Sequence, residues 1–349
     1  MKNLWFLLVT SIITIASPAQ ELESILLAAD DAEKLTQAYI DPALKGIVYS
    51  MNDGWYTTGE THKLFGFDIT LGANLALVPN EDKTFIFRAS DYNFLQAQEG
   101  DNIEISTVLG DDDRSTIFDV RVPVGDGTFK VSQFEMPGGV GADLPLSGVP
   151  SPMIQVGIGL PTKTDFKLRY VPNIGFDDNV KNFLIGLGLQ HDISQYIPGM
   201  DVTPFSLSAL VAYGHTKVTY QIDDESALDD VEVNNGEALF RLNTYTVQAI
   251  GSVDLRIVDI FASVGYGGGG SRLAMNGDYT LSYDLEDGDG NFLGTIQETI
   301  SDPLDFKANV GSMRLGAGMR VNLGVFKVFV SYTLQEYSNI SAGIAVSFR

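Results

Sequence analysis

The 349-residue chain contains no cysteine. This absence excludes a disulfide framework, a thiolate metal site and a lipid anchor on a cysteine behind a leader. Basic residues are also scarce, with 22 Lys and Arg against 45 Asp and Glu, so the formal net charge is −23. Nucleic acid is therefore excluded as a partner, because its recognition needs a basic surface.

Long apolar runs are missing beyond the N-terminus. The first residues have the form of a secretion signal: Lys2, an apolar run from Leu4 to Ile15, and the small residues Ser17-Pro18-Ala19 before Gln20. The run is shorter than the ~20 residues that a membrane-spanning helix needs. We predict a signal peptide over residues 1–19 and no helical membrane span.

What the chain does have is strict alternation of apolar and small or polar residues. At the C-terminus one face of the last segment carries Ile340, Ala342, Ile344, Val346 and Phe348. A strand repeats its side-chain direction every second residue, so this segment has one apolar face. Similar segments recur after residue 65, with uncharged apolar faces over ~10 residues, the length of a tilted transmembrane strand.

The connections favour a membrane barrel over a soluble sandwich. Those at one end are tight, whereas those at the other are long and acidic, as at Asp223–Glu237 and Asp284–Asp305. We predict an all-β fold, an antiparallel transmembrane β-barrel of about 12–14 strands over residues 44–349. Its first strands are expected near Leu44–Tyr56 and Thr84–Arg88. A large external excursion is expected near residues 85–150, which could instead add two wall strands.

Residues 20–43 differ from the rest of the chain. Apolar residues recur there at helical spacing, and Pro42 stands where the helix should stop. A barrel of a dozen strands is too wide to be filled by its own side chains, unlike one of ~8 strands. The short N-terminal helical segment is therefore either a plug in the lumen or a periplasmic helix across its mouth.

A set of short motifs in the N-terminal third carries a family resemblance. The residues are Asp31-Ala32, Leu35, Ala38-Tyr39, Pro42, Asn52, Gly54-Trp55-Tyr56-Thr57, His62-Lys63 and Gly66-Phe67-Asp68, with a second patch from Val149 to Pro172. They resemble an uncharacterised family of secreted outer-membrane barrel proteins, which distantly resembles the outer-membrane long-chain fatty-acid transporter class. That class implies passage of hydrophobic molecules through a plugged barrel. Its own plug motif is not legible here, so no substrate is implied.

The strongest candidate site is electrostatic. If Leu323-Gly324 is a two-residue turn, Arg320 lies opposite Lys327 and Arg314 opposite Thr333, all facing the lumen. Like charges directly opposed need a counter-charge, and Asp259 on a neighbouring strand could supply it. These residues form either a basic patch that holds an anionic headgroup or a structural set of ion pairs in the wall.

An external loop offers a calcium-site alternative. Its four candidate ligands match positions 1, 3, 5 and 12 of an EF-hand loop, namely Asp287, Asp289, Asn291 and Glu298. Phe292 occupies the sixth position, where the sharp turn needs glycine, and Asp-Gly pairs also form ordinary turns. We therefore expect no cofactor, with Ca²⁺ in this loop as the minority interpretation.

Catalysis has little support, so we expect no enzyme. Only His215, near Asp223 and Asp224, offers a pairing of the kind an outer-membrane hydrolase needs. Gly267 to Gly270 lacks a following helix and is interpreted as a bend or bulge in a strand. Four aromatic residues are assigned to membrane-interface girdles rather than to a ligand site; they are Trp55, Tyr213, Tyr266 and Tyr332.

The C-terminal strand predicts the location. Ile344, Val346 and Phe348 resemble the signal that the barrel-assembly machinery reads, displaced by one residue because Arg349 follows. We expect the last strand to close the barrel against the first, in the outer membrane of a Gram-negative bacterium and in contact with its lipid. The predicted function is a porin-like passive channel or transporter for small hydrophobic or amphipathic molecules. The alternative is a structural or adhesive barrel with acidic external loops.

Overall fold

The computed structural model describes residues 29–111, 115–124, 127–171, 180–222, 231–286 and 292–348. These residues contain one α-helix, α1 (Ala29–Met51), and sixteen strands. The first seven strands are β1 (Phe67–Leu77), β2 (Thr84–Arg88), β3 (Leu95–Ala97), β4 (Asn102–Ser106), β5 (Thr116–Val124), β6 (Gly127–Met136) and β7 (Gly148–Leu160). The others are β8 (Thr164–Val171), β9 (Val180–Asp192), β10 (Phe205–Ile222), β11 (Val231–Asp254), β12 (Val258–Glu286), β13 (Phe292–Ser301), β14 (Leu304–Leu323), β15 (Phe326–Leu334) and β16 (Asn339–Phe348).

Ten of the described strands close into an antiparallel barrel, in the order β1-β7-β8-β9-β10-β11-β12-β14-β15-β16 and back to β1. Closure is made as expected between the first and last wall strands, where Phe67 pairs with Phe348 and Ala76 with Asn339. We call the end with the short connections, at residues 161–163, 255–257 and 324–325, the turn end. The opposite end is the loop end. The prediction of an antiparallel barrel with an N-terminal helical segment is confirmed.

The alternating pattern forms the wall because each strand has two chemically different faces. The outward face carries half-exposed apolar side chains, such as Leu187, Val211 and Val247. From Phe205 to Tyr213 the outward face of β10 covers eight residue steps, about 26 Å of strand at ~3.3 Å per residue. Tilted by ~40°, this gives an apolar belt about 20 Å tall, close to the ~25 Å of membrane barrels.

The expected count of 12–14 strands is wrong, since ten strands form the described wall. The segment Leu44–Tyr56 is not a strand, because α1 continues to Met51 and the following residues cross the lumen. Thr84–Arg88 is a strand, β2, but within the described residues it pairs with β4, outside the wall. The wall domain therefore begins at Phe67 rather than at residue 44.

The described residues between 78 and 147 form a cap at the loop end. The cap holds two small sheets, β2-β4 and β3-β5-β6, and neither pairs with a wall strand. Its aromatic residues pack on one another, with Phe118 at 4.9 Å from Phe87 and 5.4 Å from Phe134 between ring centroids. These residues belong to the same apolar cluster as α1, so the described part of the cap shares one core with the helix.

A carboxylate on the central strand of the larger cap sheet, Asp119 of β5, interacts with both sides of that sheet. Asp119 lies 2.8 Å from the Lys130 ammonium and accepts a 2.7 Å hydrogen bond from the Gln98 amide. Burial opposes ionisation of this carboxyl, but the hydrogen bonds from Lys130 and Gln98 outweigh it and lower the pKa of Asp119. The ionised carboxylate therefore stabilises the cap.

Helix α1 is longer than the sequence predicts. Pro42 lies inside it, although proline removes one backbone hydrogen bond and normally kinks or ends a helix. The helix continues because both of its halves are buried, and tertiary packing outweighs local propensity. No helix in the described part of the chain is both long and apolar enough to cross a membrane.

Candidate functional site: the lumen and its plug

Residues 29–66, which we call the plug, run through the barrel from the loop end to the turn end. At the loop end, the Asp31 carboxylate accepts hydrogen bonds from the cap backbone at Asn93 (2.7 Å) and Phe94 (2.6 Å). At the turn end, the Phe65 amide donates to the Gly159 carbonyl at 2.9 Å, beside the β7–β8 turn. Of the predicted helical segment, residues 20–28 lie outside the described part of the chain, and residues 29–43 lie in α1, packed against the cap and the wall.

The upper half of the plug is apolar. Buried residues of α1, including Leu35, Leu44 and Val48, share one cluster with the cap and with wall residues such as Leu242 and Phe306. Each such side chain stabilises the arrangement by ~1.5–3 kcal/mol on full burial. The helix therefore joins the cap and the barrel in one core.

The middle of the plug is held by two arginines. Arg314 of β14 lies 2.9 Å from the Asp53 carboxylate and donates to the Asn52 carbonyl at 3.0 Å. Arg169 of β8 donates to the carbonyls of Met51 at 3.1 Å and Asp53 at 2.7 Å. β8 and β14 stand five places apart in the ten-strand cycle, so the arginines reach in from opposite walls. We call this arrangement the arginine clamp.

The residues after the clamp fit recesses in the wall. The Trp55 ring is 1% exposed and lies under the Arg169 guanidinium, 3.8 Å from its carbon. A Cβ added at Gly186 or Gly188 would come within 2.8 Å or 3.1 Å of the indole. The assignment of Trp55 to an exposed girdle is therefore wrong, because the glycines of β9 make room for it inside. Tyr213 and Tyr266 do lie half-exposed on the outer face.

The glycine run of β12 has the same role. Its pairing with β11 and β14 continues without a register shift through Gly267 to Gly270, so these glycines form no bulge. A Cβ at Gly267 would lie 2.7 Å from Asn52 Nδ2, and one at Gly269 would lie 3.0 Å from Val48. These inward glycines bring the wall close to the plug.

Below the clamp is a polar cavity of about 150 Å³, which we call the turn-end cavity. Twelve residues line it: Thr57, Thr58, Glu60, Thr61, His62, Lys63, Asp68, Asp165, Lys167, Arg320, Lys327 and Ser347. The His62 ring and backbone amide both lie 2.9 Å from the Asp165 carboxylate, which fixes the lower plug to β8. The cavity therefore lies between the plug and the wall.

The three basic residues predicted to form one patch do not all lie together in the structure. Arg320 is paired with Asp259, as expected, and both are buried. Arg320 stands opposite Phe329, however, and Lys327 opposite Asn322, because the β14–β15 turn lies at Gly324-Val325, one residue further along than assumed. Arg320 and Lys327 still share the turn-end cavity.

Arg314 is separated from the other two by its place in the clamp. Its partners are the plug residues Asp53 and Asn52, whereas the expected position opposite Thr333 is taken by Gly316. Arg314 thus holds the plug, Arg320 pairs with Asp259, and Lys327 lines the turn-end cavity. Sequence reasoning missed Asp53, Arg169 and Lys167, since alternation places a side chain in the lumen but does not identify its partner.

The other two sequence-derived sites lie partly outside the described residues. Asp287, Asp289 and Asn291 of the calcium hypothesis fall outside the described residues, whereas Glu298 lies in β13. No group of three or more potential ligands that could hold a metal is found in the described residues. His215 lies 2.8 Å from the Asn243 side-chain oxygen. Its suggested partners Asp223 and Asp224 are also outside the described part of the chain.

Comparison with solved structures returns membrane barrels of low similarity. The attachment invasion locus protein Ail of Yersinia pestis is 8% identical, with 82% of this chain and 100% of that chain covered and a TM-score of 0.27. The translocator domain of the autotransporter NalP from Neisseria meningitidis is 12% identical (90% and 97% covered, TM-score 0.24). A Pseudomonas aeruginosa FadL homologue is also 12% identical (89% and 95% covered, TM-score 0.22). Scores this low carry no argument about function.

No curated protein matches the chain. A family model matches almost its whole length, and the prediction of an uncharacterised family is confirmed. The chain belongs to a family of unknown function, DUF6588, whose model covers residues 1–348.

Proposed function

We propose that this protein is a non-enzymatic outer-membrane transporter whose lumen is closed by the plug and opens when the arginine clamp releases. Its substrates are small amphipathic molecules. The location is inferred from the apolar belt and from the resemblance of Ile344, Val346 and Phe348 to an assembly signal. The loop end would then face outward and the turn end the periplasm, with membrane lipid and the assembly machinery as partners.

The supporting observation is that two cavities lie at opposite ends of the plug. A groove of about 450 Å³ between α1 and the cap lies at the loop end, within the ~300–1,000 Å³ range of small-molecule sites. It is lined by both apolar and charged side chains, among them Phe85, Pro42, Lys34 and Asp41. The turn-end cavity lies beyond the clamp. A passage between them would require movement of the clamped residues.

The contacts of the arginine clamp are suited to a plug that can be released. Its contacts are hydrogen bonds and one ion pair on a short stretch of backbone, from Met51 to Asp53. When water enters the lumen, polar contacts of this kind can be replaced by hydrogen bonds to water. Releasing an apolar contact would instead expose apolar surface to water. The clamp is therefore the natural point of release between the two cavities.

A reversible lock tests this proposal. Ser50 of α1 and Ser151 of β7 have hydroxyl oxygens 2.8 Å apart, so Ser50→Cys/Ser151→Cys places two sulfurs within reach of the ~2.05 Å bond of a disulfide. The chain has no other cysteine to interfere. Proteoliposomes containing this variant should take up short-chain fatty acids or amphipathic esters when reduced and stop when oxidised.

The matched control is Ser331→Cys/Ser341→Cys, which joins the paired strands β15 and β16 and leaves the plug free. Its uptake should not depend on the oxidation state. Uptake that continues through the oxidised plug lock would refute transport by plug release. Absence of uptake in every variant, the wild type included, would favour the structural or adhesive alternative.

One observation favours that alternative. β12 continues past its pairing with β14 and pairs with β13 up to Glu286, which gives a ribbon at the loop end. Replacing residues 280–299 by Asn-Gly would join the paired residues Tyr279 and Ile300 by a tight turn. Lost adhesion with unchanged permeability would support an adhesive barrel, whereas a transporter should keep both uptake and assembly.

A further inference from the structure

We propose that the turn-end cavity is a binding site for an oxyanion, a carboxylate or a phosphate group, held between Lys167 and Lys327. The site would receive the anionic group of a substrate below the clamp, and this role rests on the proposed function. The binding itself does not depend on transport and can be measured separately.

Lys167 is the first reason. It lies on the inner face of β8 and lines the cavity, and only 7% of its surface is exposed. Its ammonium has no hydrogen bond or ion pair within the described residues, in contrast to Arg169 two positions further along the strand. Lysine is seldom this buried without a partner, because removing an ammonium from water is costly. A ligand in the cavity would supply that partner.

Lys327 is the second reason. It reaches the same cavity from β15, four places from β8 around the ten-strand wall, and its ammonium makes no hydrogen bond or ion pair in the described part of the chain. Arg320 is not available in the same way, because it is paired with Asp259. Two unpaired ammonium groups from separated strands thus line one small space, and each offers three donors.

The carboxylates that line the cavity indicate which charge the ligand carries. Asp165 already accepts from the ring and the backbone of His62. Asp68 accepts from the Gly157 amide at 3.0 Å and lies 3.8 Å from His62. Only Glu60 among the lining carboxylates has no donor in the described residues. The groups left without partners are therefore mainly cationic, which favours an anion over a metal ion.

The size of the cavity limits the ligand. Its volume of about 150 Å³ is below the ~300–1,000 Å³ of sites that enclose a whole drug-sized molecule. A carboxylate or phosphate group with a few water molecules fits this space. The apolar part of an amphipathic molecule would have to lie elsewhere along the plug.

Titration of the purified full-length chain in detergent tests the site. Inorganic phosphate and acetate are added separately, and binding is followed by calorimetry and by the ³¹P line width for phosphate. Lys167→Met and Lys327→Met, which keep the apolar stem, should each weaken binding by about tenfold, the loss of one charge-assisted hydrogen bond. Lys167→Arg should retain most of it. The two probes distinguish a phosphate site from a carboxylate site.

Lys307→Met is the matched control, since Lys307 is exposed at the loop end, and should bind as the wild type does. Tryptophan emission of each variant checks that the plug is in place. Equal affinity in all variants, or absence of binding in the wild type, would overturn the site. If binding is lost with both lysines while oxidised and reduced plug-lock variants transport equally, the site stands and the proposed function fails.

Discussion

Replacing Asp53 by asparagine should loosen the middle of the plug. The Asp53 carboxylate and the Arg314 guanidinium are 2.9 Å apart, with side-chain exposures of 3% and 0%. Removing one partner of a buried pair costs about 3–5 kcal/mol, because the other charge stays buried without compensation. That cost corresponds to a factor of about 150 to 5,000 in the equilibrium between clamped and released plug.

The plug should not leave the barrel entirely. Arg169 keeps its two carbonyl contacts, and the apolar face of α1 remains in the core with the cap. We therefore expect the plug to loosen around the Arg314 contact, with a lower melting temperature and an intact barrel. The double variant Asp53→Leu/Arg314→Met should be milder than Asp53→Asn alone, because it leaves no buried charge unpaired.

Trp55 provides the assay. The chain has two tryptophans, and Trp5 lies within the predicted signal peptide, so Trp55 is expected to be the only one in the mature protein. At 1% exposure its emission should be blue-shifted and shielded from acrylamide in the wild type. Asp53→Asn should shift the emission to the red and increase quenching several-fold.

Asp41→Asn is the control for this experiment. Asp41 forms a partly exposed ion pair with Lys45 at 2.7 Å within α1, and such pairs contribute about 0.3–0.5 kcal/mol. It should therefore leave the emission unchanged. The reasoning is refuted if Asp53→Asn behaves like Asp41→Asn in both quenching and melting temperature.

Three further predictions concern the wall, its closure and the cap. Gly186→Val should collide with the Trp55 indole and destabilise the folded barrel by about 1–3 kcal/mol, seen as earlier loss of heat-modifiable migration. Deleting Phe348 and Arg349 should reduce membrane assembly, measured by protein recovered in the outer-membrane fraction; normal recovery would remove the assembly role. Because the pKa of Asp119 is lowered, its contribution is present above the unfolded value of ~3.9 and is lost as the pH falls through the folded value. Proteolysis of the cap should accelerate below pH ~4, and Asp119→Asn should remove that acid step.

The strands of the wall could be predicted from the sequence because their alternating pattern is a local property of each segment. A strand between lipid and a filled lumen must alternate, and each segment from Phe205 onward does so without any knowledge of its neighbours. The number of strands could not be read in the same way. Thr84–Arg88 alternates as a wall strand does, yet β2 pairs within the cap, and only long-range pairing distinguishes the two.

The site was predicted less well because its contacts join distant positions. Arg314 and Asp259 were placed in the lumen correctly, but the partner of Arg314 is Asp53, which alternation cannot locate. One signal was present and was misinterpreted. The glycines at 186, 188, 267 and 269 all lie on inward faces, and glycine inside a barrel indicates that another part of the chain approaches closely.

Single-channel conductance of the Ser50→Cys/Ser151→Cys variant tests plug release most directly. The oxidised protein is reconstituted in a planar bilayer, recorded, and then reduced in the same chamber. The account predicts a silent barrel while the disulfide holds α1 to β7, and discrete openings after reduction, more frequent when Asp53→Asn is added. Equal conductance before and after reduction, or silence in both with Asp53→Asn present, would contradict it.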